Sequence, residues 1–198
     1  MKKLKLFILI ILFSVAAFAQ EVKWKVDNAH SSVKFVVTHM LVSQVEGKFT
    51  KYEGDVTSVG DDFTKGKISF VIDVNSISTD NEKRDNHLKS DDFFNAEKYP
   101  KITFVGKSLE KTGDKKYKLT GDLTIRDKTK SVVLDVTQGG ILKDKGGNSV
   151  RTGFMIEGTV NRFDYDLKWN ALTEMGGAVV SKEVDMKISL ELTPEKNS

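Results

Sequence analysis

The side chains that could do acid–base or metal chemistry are few. The chain has 198 residues, with His30, His39 and His87 as its only histidines and no cysteine. Without cysteine there is no thiolate nucleophile and no thiolate metal site. The spaced motifs of zinc hydrolases, nucleophile elbows and phosphate loops do not occur. Asp27, His30, Ser31 and Ser32 place an acid, a base and hydroxyls close together. Asx and Ser turns at strand edges produce such clusters unaided. His39 and His87 with an acid such as Asp85 would make a facial metal set if the fold gathered them. An enzyme using the three histidines for metal or acid–base chemistry is therefore one reading. The plainer one has each ring hydrogen-bonded at a strand end or helix cap.

A second polar cluster spans Asn81, Arg84, Asp85 and His87. In helical spacing Arg84, His87, Leu88 and Asp91 fall on one face. Such a face can present donors at the mouth of a barrel, or be a solvated face with an Arg–Asp pair. The surrounding stretch, 82–98, is polar and holds no Gly or Pro. Asp80 or Asn81 is placed to cap a helix start, and the chain must leave helix before Pro100. Phe93-Phe94 and Tyr99-Pro100 are expected to pin this excursion to the body of the fold.

Nearly everything else alternates with period two, the mark of strands with one buried face. Val22, Trp24 and Val26 form one such run, and Val33, Phe35 and Val37 the next. Ile68, Phe70 and Ile72, then Leu119 and Leu123, continue it, and Val184 to Leu192 close it. Gly- and Asp-rich turns separate the runs, at 60–62, 112–114 and 145–148. The expectation is an all-β domain: an antiparallel barrel or sandwich of about eight strands with one short helical excursion. A barrel of that size is filled by its own side chains or holds one small ligand. Inward positions are Phe, Ile, Leu and Val with no charged constellation, so a cavity there would take an apolar molecule. Pattern alone favours the filled core.

Residues 1–19 carry Lys2, Lys3 and Lys5, then the apolar run LFILIILFSVAAF and Ala17-Phe18-Ala19. This is the pattern of a signal peptide cleaved after Ala19, with an apolar run shorter than a membrane span. A periplasmic or secreted product is expected. Removing the three lysines from 31 basic residues leaves 28 against 28 acidic, a neutral body with no field to attract nucleic acid. One domain over 20–193 and a loose tail at 194–198 complete the expected organisation.

Trp24 to Phe35 (WKVDNAHSSVKF), followed by His39 and Gly47-Lys48-Phe49, resembles the start of the YceI-like family of exported bacterial proteins. The resemblance continues through Asn81-Glu82-Lys83-Arg84-Asp85-Asn86-His87-Leu88-Lys89-Ser90, Asp92-Phe93-Phe94, Lys98-Tyr99-Pro100 and Phe104. It ends with Gly121 to Arg126 and Asn161-Arg162-Phe163-Asp164 through Trp169. Two departures are Asp166, where the family usually has Gly, and Met40, where Leu is common.

The resemblance implies an extended lipocalin-like barrel whose apolar tunnel binds a polyisoprenoid, quinone or fatty amphiphile, and it favours a cavity over a filled core. The implied protein is a carrier or store, not an enzyme, with no cofactor beyond that lipophilic ligand. It would touch membranes only transiently, for ligand exchange. A homodimer is compatible with the sequence. Phe35, Val37, Phe70, Ile72, Phe104, Leu119 and Leu123 are the expected tunnel lining. His30, Asn81, Arg84, Asp85 and His87 are the expected rim, with Arg84 and His87 facing a head group. The enzymatic alternative is then a reaction on a lipid head group through His30, His39 and His87.

Overall fold

A computed structural model describes residues 20–171 and 179–195. The signal-peptide expectation, residues 1–19, lies outside the described residues. Among the described residues, eleven strands form one antiparallel sheet: β1 Glu21–Val26, β2 Ser32–His39, β3 Ser43–Phe49, β4 Tyr52–Val59, β5 Ile68–Asp73, β6 Ile77–Ser78, β7 Lys101–Gly113, β8 Lys116–Ile125, β9 Lys128–Lys143, β10 Ser149–Asn161 and β11 Glu183–Pro194. The sheet order is β1-β4-β5-β7-β8-β9-β10-β11, and β11 pairs back to β1 to close a barrel.

Six of the eleven strands are halves of longer ones. β1 pairs with β4 while β2 pairs with β3, so β1–β2 and β3–β4 are two interrupted strands of one long hairpin. β5 pairs with β4 and β6 with β3, with a single 3-10 turn, Val74–Ser76, between them. The barrel thus has eight lanes, and all of its edges except short β6 are paired, which removes most sites for edge-on association.

Burial along β11 shows what the barrel encloses. Val184, Met186 and Ile188 face inward but are only half-buried, whereas Leu190 and Leu192 on the same face are buried. The interior is packed at one end and hollow at the other. At the packed end the Trp24 and Phe63 rings lie 5.2 Å apart, and the Phe63 and Phe154 rings 5.0 Å apart. Trp24 is 2% exposed, and its indole N–H donates to Ser58 Oγ at 2.8 Å. The pattern-only expectation of a filled core therefore holds at the base alone.

Helix α1, Glu82–Lys89, is shorter than the polar stretch that suggested it. Asn81 caps it by accepting from the Arg84 N–H at 3.0 Å. It stops because Ser90 is extended and closes back onto the His87 carbonyl, freeing Phe93 to turn inward and become buried. Asp91 consequently lies past the helix end and is exposed, off the expected helical face. Nor is Pro194 part of a loose tail: it ends β11 opposite Trp24, and Glu195 N–H donates to the Lys23 carbonyl at 2.8 Å. Residues 196–198 lie outside the described residues.

Candidate functional site

The hollow end of the barrel is a cavity of about 530 Å³. Phe35, Val37, Phe70, Ile72, Phe104, Leu119 and Leu123 all contribute to its wall. Large rings leave the space open because they lie along the wall. The Phe35 ring lies over Gly47, its cross-strand partner, and the Phe70 ring over Gly54, its own partner. A Cβ at either glycine would fall inside the ring's van der Waals contact. The close approach that glycine permits here lets the aromatic face cover the backbone rather than project across the lumen.

Polar groups on the wall gather at the open end. The exception is Lys34, whose Nζ pairs with Glu46 Oε1 at 2.8 Å. Thr79 and Asn81, between β6 and α1, and Lys83, Arg84 and His87 on α1 border the cavity. Thr79 ties the helix down. Its N–H and hydroxyl donate to Asp85 Oδ1 at 2.8 and 2.5 Å, and it accepts from Arg84 Nε at 2.7 Å and Nη2 at 2.8 Å. Asp85 therefore holds the helix and does not line the cavity, which corrects its assignment to the rim.

His87 packs edge-on against Trp169 and Phe93, with ring centroids 4.9 and 5.1 Å away, and its Nε2 pairs with Asp92 Oδ2 at 2.8 Å. Phe94 meets Phe49 edge-on at 6.1 Å, so both phenylalanines hold the excursion against the barrel.

His30 is also corrected. It is exposed, outside the cavity wall, with Nδ1 3.0 Å from Asp27 Oδ2 and 3.9 Å from Glu191 Oε1. The hydrogen bond from His30, helped by the Ala29 N–H, holds the Asp27 carboxyl below its usual range. Asp27, His30 and Glu191 are the one histidine–carboxylate cluster of metal-binding spacing among the described residues. Arg151 already pairs with both acids there. The facial set imagined from His39, His87 and Asp85 does not assemble: His39 and His87 border the cavity while Asp85 holds Thr79.

One mouth residue carried no chemical signal in the sequence. Arg162 is 4% exposed and borders the cavity. Its guanidinium donates to the carbonyls of Ser181 at 2.9 Å and Trp169 at 2.8 Å, and also to that of Leu167. Burial lowers its pKa from the ordinary value. A single Arg between Asn161 and Phe163 does not announce that a loop will wrap it.

The fold and cavity define a class: a closed eight-lane β-barrel with a packed base and an apolar chamber bordered by a short helix. The YceI-like domain model matches residues 24–192, and the chain belongs to that family. A UPF0312 protein of Staphylococcus aureus is 40% identical over 167 residues, covering 84% of this chain and 95% of its own length. Among solved structures, Burkholderia cenocepacia BcnA aligns with a TM-score of 0.72 at 27% identity, over 84% of this chain and 98% of that one. The Campylobacter jejuni YCEI protein aligns at 0.66 and 35% identity, over 81% and 90%. A polyisoprenoid-binding domain from Saccharophagus degradans aligns at 0.66 and 17% identity, over 88% and 99%, a likeness of fold.

Proposed function

We propose that the protein is an exported binder that carries or stores a long-chain isoprenoid, quinone or other amphiphilic lipid, with the tail in the chamber and the head at the mouth. One observation carries this reading: a chamber of about 530 Å³ walled by aliphatic and phenyl groups, with its polar groups gathered at one end. That distribution matches an amphiphile end for end. Each buried methylene contributes roughly 0.8 kcal/mol, so a tail of some fifteen carbons gains on the order of 10 kcal/mol before the costs of ordering it. A wall of dispersion contacts discriminates poorly among tails, so selectivity falls to the mouth. Arg84 Nη1 and the His87 ring are two of the donors there for a phosphate or quinone oxygen.

Binding rather than catalysis is the reading we adopt, because His30 stands apart from the chamber and His87 is already paired with Asp92. The test is mass spectrometry of detergent-free protein, native and then denatured and extracted. Release of an apolar species of a few hundred daltons is the expected result; an apo mass with no extractable lipid from freshly purified protein overturns storage. Arg84→Ala should weaken an anionic-head ligand more than a neutral one with the same tail. Equal losses would remove Arg84 from head-group recognition.

A further inference from the structure

The turn joining β2 to β3 breaks two local rules at once. Met40, Leu41 and Val42 are 47%, 76% and 84% exposed, three consecutive apolar side chains in water. Met40 and Leu41 also sit at φ of 50° and 62°, the left-handed region where Asn and Gly are the usual occupants of a hairpin turn. Neither burial nor turn geometry accounts for these residue types, and such violations concentrate at functional sites. Between Lys34 and Glu46 the sequence carries no Asp, Glu, Lys or Arg, in a chain whose residues are 30% charged.

The turn is continuous with the chamber. Val37, His39 and Val45, on the strands leading into it, line the cavity, as do Val179 and Val180 beside it. Met40 N–H donates to the Val179 carbonyl at 2.9 Å. An uncharged track therefore runs from the chamber wall out to the tip.

We propose that Met40–Val42 inserts into the interfacial layer of a lipid bilayer and sets the chamber mouth against it, so that the ligand passes between membrane and barrel along this track. The proposal rests on the reading of the chamber as a site for a membrane-derived amphiphile. A second copy of the chain is the poorer occupant, because stable dimers bury roughly 20–30 residues a side and this tip offers three. A bilayer needs no matching surface; a few apolar side chains at its boundary suffice for reversible contact.

The test uses the chain from Gln20, since the closed barrel begins at Glu21 and the apolar run of residues 1–19 would bind vesicles by itself. Vesicles of equimolar phosphatidylcholine and phosphatidylglycerol, with and without a long-chain ubiquinone, serve as probes. Leu41→Trp should be quenched by brominated acyl chains. Leu41→Asp/Val42→Asp should weaken vesicle partition about tenfold or more, given the cost of a carboxylate in the apolar layer. It should slow quinone uptake alongside, with an unchanged melting temperature. Unquenched Leu41→Trp, or equal partition of the double variant, overturns the proposal. So does a wild-type dimer that the double variant converts to monomer without any vesicle binding. Quenching without quinone uptake would leave docking standing and remove the ligand reading; uptake of dispersed quinone without vesicle binding would do the reverse.

Discussion

At the scale of single residues, two buried polar groups behave oppositely. Arg162 closes the loop around the mouth by donating to the carbonyls of Ser181, Leu167 and Trp169. Arg162→Met keeps the aliphatic stem and strips the donors, leaving buried carbonyls unsatisfied. A loss of about 3 kcal/mol is expected in chemical denaturation, together with a loosened mouth. Tyr165 is 1% exposed, and its hydroxyl has no hydrogen-bond partner among the described residues. Burial, with the nearby Asp164 charge, pushes its phenol up to about 12. The folded value exceeds the ordinary 10.0, so this contribution to stability is complete below pH 10 and is lost as pH rises towards 12. Phenolate absorbance should therefore show a late step that Tyr165→Phe abolishes. That substitution should cost almost no stability at neutral pH, since no bond is broken; a large loss would reveal a partner for the hydroxyl.

At the scale of elements, the glycine–phenylalanine pairs decide whether the barrel is hollow. Gly47→Ala must lift the Phe35 ring off the wall and into the lumen. A cost of about 1–3 kcal/mol and reduced lipid uptake are expected. Pairing it with Phe35→Leu should restore both, a coupling measurable in a double-mutant cycle; additive losses would mean that the ring is not the obstacle. These pairs also mark where sequence reading stops. Period-two alternation identifies the inward positions, and the seven expected lining residues do face the cavity, because a pleated strand leaves a side chain only two directions. Alternation cannot say whether opposing rings meet or lie flat. That depends on a glycine across the ladder, a register rather than a local pattern. Helix length was opaque for a similar reason: α1 ends at Lys89 because Phe93 is drawn into the core, a tertiary gain over local propensity. His30 and Asp85 lie off the rim, because proximity in sequence to a motif says nothing about which face a side chain takes. Asp166 stands where the family usually has glycine because its φ of 59° is a conformation that glycine adopts freely and Asp tolerates.

At the scale of the molecule, base and chamber divide stability from function. The base, with Trp24, Phe63, Phe154 and Leu192 packed around closure of β1 on β11, holds the barrel shut whatever the chamber contains. Leu192→Ala, at a position 1% exposed, should cost about 2–5 kcal/mol in loaded and empty protein alike. Met186→Ala, on the half-buried chamber wall, removes contacts that form fully only when the space is occupied. Its cost should be small in empty protein and larger in loaded protein. The chamber lining forgoes dispersion partners while empty, so a ligand that fills it stabilises the folded state and not the unfolded chain. At a ligand concentration about a hundredfold above its dissociation constant, the gain is about 2.7 kcal/mol, a rise of roughly 5–10 °C in melting temperature for a domain of this size. Thermal melts of solvent-extracted protein before and after refilling with ubiquinone should show that rise in wild type. Leu192→Ala should preserve it and Met186→Ala should reduce it. Equal shifts in the two variants would mean that the ligand stabilises from outside the chamber.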